Sequence, residues 1–230
     1  MDSKSPLNIK SLKEQVYEFL REQLRKGDLR PGSVIDMEKT SKRLGVSKTP
    51  LRDALLQLEY EGFVSILPRR KIVVNPLTLR DIRNYYEIIG ALESAAVLRA
   101  VDNLKDADLK VLEALNAEMR EAVETDDFDL YYDRNLKFHN VYLASSGNPI
   151  LLKIINTMKK RLYDFPRPSK FVKEWELVSV GEHAQLIRLL KRRSREEAAA
   201  FVRDVHWSFQ VQEKFIARYY ADAQAAADAN

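Results

Sequence analysis

Cysteine is missing from the chain, which excludes a disulfide framework and any thiolate metal site. Long apolar runs are missing too. No stretch approaches the roughly 18 consecutive apolar residues that cross a bilayer. The N-terminal residues interleave charges with apolar positions, so they lack the apolar centre of a signal peptide. These absences place the protein in the cytoplasm, away from membranes. There is no internal repeat, and no H-E-x-x-H or comparable general-base motif of a metallohydrolase. Net charge is small, at +4, but unevenly distributed: residues 1–76 hold 15 Lys+Arg against 10 Asp+Glu, and residues 77–230 hold 23 against 24. The positive excess therefore lies in the first third, as expected if only that part meets phosphates. With 230 residues, 45% apolar and 31% charged, the chain has the composition of a globular protein of two modest domains.

The first segment reads as three helices and a hairpin. Leu12, Val16, Phe19, Leu20 and Leu24 recur mostly at intervals of three or four, predicting an amphipathic helix over Ser11–Lys26 that Gly27 stops. Asp28-Leu-Arg-Pro-Gly32 is turn chemistry. A short helix follows from Asp36, its N-cap, to Leu44, ended by Gly45. Ser47 is the expected cap of a third helix whose inward stripe is Leu51, Ala54, Leu55 and Leu58, with Pro50 in its first turn and Gly62 at its end. That stripe leaves Lys48, Thr49 and Arg52 on the outer face, where the helix dipole adds to their charge. A guanidinium at Arg52 can pair with guanine O6 and N7. Val64-Ser-Ile-Leu67 and Lys71-Ile-Val-Val-Asn75 predict two strands around Pro68-Arg69-Arg70, a wing with a cationic tip. Singly, Lys48 or Arg52 reads equally well as a solvated surface charge. The order of helix, turn, helix, capped cationic helix and basic hairpin favours double-stranded DNA.

These residues resemble the winged helix of GntR-type bacterial transcription regulators. The resemblance rests on Gly27-Asp-Leu-Arg-Pro-Gly32, Leu44-Gly-Val-Ser-Lys-Thr-Pro-Leu-Arg-Asp-Ala-Leu55 and Leu58-Glu-Tyr-Glu-Gly-Phe-Val64. It covers about residues 8–76 and implies operator contacts by Lys48, Thr49, Arg52, Arg69 and Arg70. One departure is Lys71, which stands where the family's wing usually has glycine.

After the polar joint Asn75-Pro-Leu-Thr78, the capping pair Thr78 and Asp81 opens a second segment that is helical throughout. Ile82, Tyr85, Tyr86, Ile89, Leu92, Glu93 and Ala96 share helical spacing, as do Leu109, Leu112, Leu115, Met119 and Val123. Further helices are expected near 127–145, 149–165, 178–193 and 195–220, the last opened by a capping box Ser194-x-x-Glu197. Breaks fall at Gly147-Asn-Pro149 and Phe165-Pro-Arg-Pro-Ser169, and the alanine-rich tail beyond Tyr220 is expected to fray. The fold expected is mainly α: an N-terminal winged helix-turn-helix with a small β-hairpin over 1–76, and a C-terminal all-α bundle of six or seven helices over 77–230.

All three histidines, His139, His183 and His206, lie in this bundle. Asn135 and His139 share a helical face, and His183 and His206 sit among apolar neighbours on other helices. Three imidazoles and an amide oxygen suit a divalent cation with open positions, although spacing alone fits core or surface histidines better. Asn135-Leu-Lys-Phe-His139 with Ser146-Gly-Asn-Pro149, Glu182-His183 and Asp204-Val-His206 resemble the FCD domain of the FadR subgroup of GntR regulators over about 78–218. The resemblance implies a metal, zinc or nickel, on Asn135, His139, His183 and His206. Asn135 stands where aspartate is commoner, and Ile89 where relatives often have an effector-binding arginine. Arg99, Arg161 and Arg188 are then the candidate cations for an anionic effector.

The function implied is a homodimeric transcription regulator that binds a palindromic operator under the control of a small organic acid held against the metal, and not an enzyme. The competing readings are a metal-dependent hydrolase or lyase using the three histidines, and a regulator for which the metal itself is the signal.

Overall fold

A computed structural model describes residues 10–163 except Arg69 and Arg70, and residues 172–228, with side chains described as far as Tyr219. The described residues form two compact units. One comprises the chain up to Leu77 and the residues from Lys160 to the end of their helix; the other comprises Thr78–Lys159 and the chain from Val172 onward.

In the first unit, helix α1 spans Leu12–Lys26 and starts from a capping box in which Ser11 and Glu14 satisfy each other's backbone N–H groups. It stops at Gly27, whose φ of 78° is the left-handed conformation that only glycine takes freely. Helix α2, Met37–Leu44, is capped by Asp36 accepting from the amides of Glu38 and Lys39. Helix α3 is Lys48–Tyr60. Ser47 occupies its N-cap position but makes no side-chain capping bond. Leu51, Ala54, Leu55 and Leu58 are wholly buried, each leucine contributing roughly 1.5–3 kcal/mol relative to exposure. They pack with α1 and with a small sheet.

That sheet has three strands rather than the expected two. Strands β2 (Val64–Leu67) and β3 (Lys71–Val74) form the hairpin in the register Val64↔Val74 and Leu67↔Lys71. A two-residue strand β1, Val34–Ile35, adds antiparallel to the other side of β3, giving the order β1-β3-β2. The wing tip residues Arg69 and Arg70 lie outside the described residues.

The second unit contains seven α-helices among the described residues: α4 (Leu79–Asn103), α5 (Asp106–Glu124), α6 (Phe128–Ser145), the body of α7 (Pro149–Tyr163), α8 (Lys173–Lys191), α9 (Arg195–Phe201) and α10 (Phe209–Asp228). The Thr78–Asp81 capping box opens α4. The single helix expected over 195–220 is instead broken. After α9 the chain makes a π turn, Val202–His206, in which the amide of Trp207 reaches back to the carbonyl of Val202 at 2.9 Å. Ser194 makes no side-chain capping bond. Helix α10 continues through the alanine-rich tail to Asp228. Helix α8 starts several residues earlier than expected, and the proline-rich break at 165–169 lies outside the described residues. No helix among the described residues is long and apolar enough to cross a membrane.

Candidate functional site

Two sites follow from the fold, one on each unit. On the first, Lys48, Thr49 and Arg52 are all exposed at the start of α3. The turn carries no acidic residue, and Arg52 has no ion pair among the described residues. Lys48 makes only a long, solvated contact with Glu38, at 3.8 Å, which contributes little. Tyr60, at the other end of the helix, is 86% exposed.

The second site begins with Glu93 on α4, a carboxylate that is completely buried. Its Oε2 accepts hydrogen bonds from Nε1 of Trp207 at 3.0 Å, from Nδ1 of His139 at 3.0 Å and from the Tyr142 hydroxyl. Its Oε1 is ion-paired with the ammonium of Lys159 on α7, which is only 1% exposed and lies 5.1 Å from the centre of the Trp207 ring. Burial alone would raise the Glu93 pKa; Lys159 and then His139 hold it well below the usual carboxylate range. An ionised carboxylate can only accept, so His139 must carry its proton on Nδ1, which leaves the lone pair of Nε2 free.

His206, at the end of the π turn, is arranged in the same sense. Its Nδ1 donates to Oε2 of Glu182 at 2.8 Å, and the other oxygen of Glu182 accepts from Gln212 at 2.8 Å. Nε2 of His206 lies 3.3 Å from Nε2 of His139. A cation bound by both at about 2.0–2.1 Å with a tetrahedral angle requires its ligand nitrogens to be about 3.3–3.4 Å apart.

His183 on α8 completes the group. Its ring centre is 5.4 Å from that of His139 and 4.9 Å from that of His206, and it stacks on Phe138 at 4.3 Å. It is fully buried, and neither ring nitrogen has a hydrogen-bond partner among the described residues. An unpartnered buried imidazole is costly unless something takes its lone pair. One nitrogen from each of the three rings lies within 4.8 Å of the others. Burial, reinforced by Lys159 and opposed by Glu93, pushes the His139 pKa down to about 3, and burial first, then the neighbouring imidazoles, lowers that of His183. Both are therefore neutral. Asn135 is buried one turn before His139 on α6. The carboxylate–imidazole pairs Glu93–His139 and Glu182–His206 are of the kind that orients histidines in metal sites. The donor set fits a zinc-like divalent ion.

The other expectations fare differently. Ile89 is a buried core residue, and each of the three candidate arginines has a hydrogen-bond acceptor of its own. Arg99 donates to the Ser146 carbonyl at 3.0 Å, Arg188 to the side chain of Gln185 at 2.9 Å, and Arg161 to the carbonyls of Asn75 and Pro76 at 3.2 and 2.8 Å within the first unit. The buried cation at the site is Lys159, which sequence reasoning missed, together with the hub role of Glu93 and the outer contact of Glu182. Its signal was present: lysine takes the inward position between Ile155 and Leu162, both buried.

Comparison with known proteins agrees with this architecture. The family described as "Bacterial regulatory proteins, gntR family" matches residues 12–74, and the FCD domain matches residues 84–206. The HTH-type transcriptional regulator McbR of Escherichia coli (strain K12) is 32% identical over 152 residues, covering 66% of this chain and 69% of McbR. The uncharacterized HTH-type transcriptional regulator YdhC of Bacillus subtilis (strain 168) is 26% identical over 190 residues, covering 82% and 84% of the two chains. The solved structure of E. coli McbR/YncC superposes with a TM-score of 0.69 at 26% identity, covering 94% of this chain and all of that one.

Proposed function

We propose, from the premise that the chain belongs to the GntR family of bacterial transcription regulators and carries an FCD domain, that a divalent metal held by its three histidines governs, with a small organic acid, its binding to an operator. The family and its relatives are regulators of transcription and not enzymes. The finer assignments are our reading. Lys48, Thr49 and Arg52 enter the major groove, with Arg69 and Arg70 of the wing on the adjacent backbone. His139, His183, His206 and Asn135 hold zinc or nickel. Two protomers present their α3 helices to a palindromic site about one helical turn, roughly 34 Å, apart.

The observation that carries the reading is the pair of imidazole Nε2 atoms that meet at 3.3 Å, beside a third, buried imidazole with no partner of its own among the described residues. Bound metal would act as a Lewis acid towards a carboxylate. The protein's part is to keep the imidazoles neutral and oriented. The effector can alter operator affinity only by binding the two states of the regulator unequally.

The test begins with selection of a preferred duplex from random oligonucleotides. Operator binding is then followed as metal, and afterwards small carboxylic acids, are added to chelator-treated protein. A response to metal alone identifies the ion as the signal; a response only when an acid joins the metal identifies the acid. His183→Ala should abolish stoichiometric metal binding. Full metal retention in that variant would remove the proposed centre.

A further inference from the structure

The charges around the histidines specify what kind of ligand can complete the centre. The first layer is neutral: three imidazoles, of which His139 and His183 are kept uncharged by burial, and the amide of Asn135. Two carboxylates stand behind it. Glu182 accepts from His206 and Gln212, and among the described residues no lysine or arginine pairs with it. Glu93 accepts from His139, Tyr142 and Trp207 and is also ion-paired with Lys159, so that pair is neutral as a unit. Both members are enclosed, at 0% and 1% exposure, and solvent screens them little. A divalent ion on the three histidines is therefore compensated by one carboxylate and left with a single positive charge in excess.

We propose that Lys159 makes this centre a receptor for a monoanion: by cancelling the charge of Glu93 it leaves the bound cation one charge short of neutrality, and a small, singly charged carboxylate supplies it. The inference rests on the metal reading above and adds to it the ligand's charge and the residue that sets it. Lys159 acts here through Glu93, as a positioning and charge-setting residue. A lysine that only filled space would be indifferent to the partner's charge, whereas one that cancels Glu93 is needed only while Glu93 is anionic.

That difference defines the experiment. Full-length protein is stripped with chelator and reloaded with cobalt(II), whose visible spectrum reports the imidazole ligands, then titrated with acetate as the probe anion. In wild type, acetate should alter the spectrum saturably. Lys159→Met should weaken acetate binding about tenfold, since one unit charge at close range in a buried site is worth at least that factor, and Lys159→Arg should preserve it. Glu93→Gln should strengthen acetate binding by a similar factor. The double variant Glu93→Gln/Lys159→Met, neutral at both positions, should return to within about threefold of wild type. A packing role predicts instead that the double variant is no better than the worse single one. If Lys159→Met does not fold, the Glu93→Gln and double variants still decide the matter. No cobalt(II) spectrum in wild type overturns the metal reading itself. A normal spectrum with acetate affinity unchanged by Lys159→Met, or not recovered in the double variant, overturns the role of Lys159 alone.

Discussion

Lys159→Met and Glu93→Leu should destabilise the second unit by unequal amounts, and the inequality follows from who else depends on each group. Breaking a buried ion pair by removing one member costs about 3–5 kcal/mol, because the other is left charged without compensation. When the lysine is removed, the carboxylate still accepts from His139, Tyr142 and Trp207, so the loss belongs near the lower figure, about 3 kcal/mol. When the glutamate is removed, the ammonium, the Trp207 indole and the Tyr142 hydroxyl lose that acceptor at once, while Nδ1 of His139 still has the Tyr142 oxygen within reach. Each buried donor so abandoned costs about 1–3 kcal/mol, which brings the loss to about 5 kcal/mol or more. The chain has two tryptophans, Trp175 and Trp207, and both lie in the second unit, so their fluorescence during urea unfolding reports this unit. With a denaturant slope of about 1–3 kcal/mol per molar urea, a difference of about 2 kcal/mol separates the two midpoints by roughly 1 M. The measurement is made on chelator-treated protein, so that metal binding does not contribute. Equal midpoints, or Lys159→Met the less stable of the two, would refute Glu93 as the hub of the site.

Three further outcomes are expected. Arg52→Ala should reduce the preference for the selected operator over an unrelated duplex by about 10- to 100-fold, the value of one bidentate guanine contact; an unchanged ratio in a competition gel shift would exclude that contact. Gly90→Ala would place a Cβ 3.0 Å from the Cβ of Trp207 and 3.6 Å from the Arg203 carbonyl, so the π turn must shift, at a cost of about 1–3 kcal/mol. Metal affinity should fall with it because His206 ends that turn, and melting and affinity both unchanged would show that the turn has room. Whatever factor an acid imposes on operator affinity, the operator must impose on the affinity for that acid; calorimetric titrations with and without duplex that gave unequal factors would break the proposed coupling.

Most of the first unit could be read from the chain because its rules are local. Gly27 and Gly45 stop helices by taking up positive φ, and the stripe Leu51–Leu58 fixes which side of α3 faces out. The two-residue strand Val34–Ile35 could not be read, since so short a stretch has no alternation and exists only because the edge of β3 offers it partners. The expected caps at Ser47 and Ser194 show the limit of cap patterns: each residue lies at the right position without its hydroxyl making the bond. In the second unit the helical period itself misled. A uniform 3.6-residue period over 195–220 turns consecutive side chains about 100° apart, which gives no hint that His206 and Trp207 both turn inward; the π turn brings both to the site. Glu93 and Lys159 were legible in another way. Each holds a buried position in an apolar stripe, Glu93 following Ile89 and Lys159 following Ile155. A charge at such a position on each of two helices signals a buried pair, because neither group tolerates burial alone.

The same contacts explain why a centre of this kind suits sensing rather than hydrolysis. A hydrolytic metal site needs a nearby base able to take a proton from the attacking water, within about 2.6–3.2 Å. Glu93 has three hydrogen bonds on one oxygen and an ammonium on the other. Glu182 is held through one oxygen by His206 and through the other by Gln212, whose own carbonyl accepts from Trp175. Both carboxylates face the Nδ1 side of their histidine, away from the Nε2 atoms that meet at 3.3 Å. They are spent on orienting imidazoles, and a proton moved to either would release the ring it holds. What such a shell does well is bind, because the His139 ring is preset in tautomer by Glu93 and in charge by burial. Residues from α6, α8 and the π turn supply the three rings, so on the proposed reading occupation of the centre would fix three segments of the second unit relative to one another. That is a change in which conformations are populated, and it is the quantity through which a regulator's ligand must act.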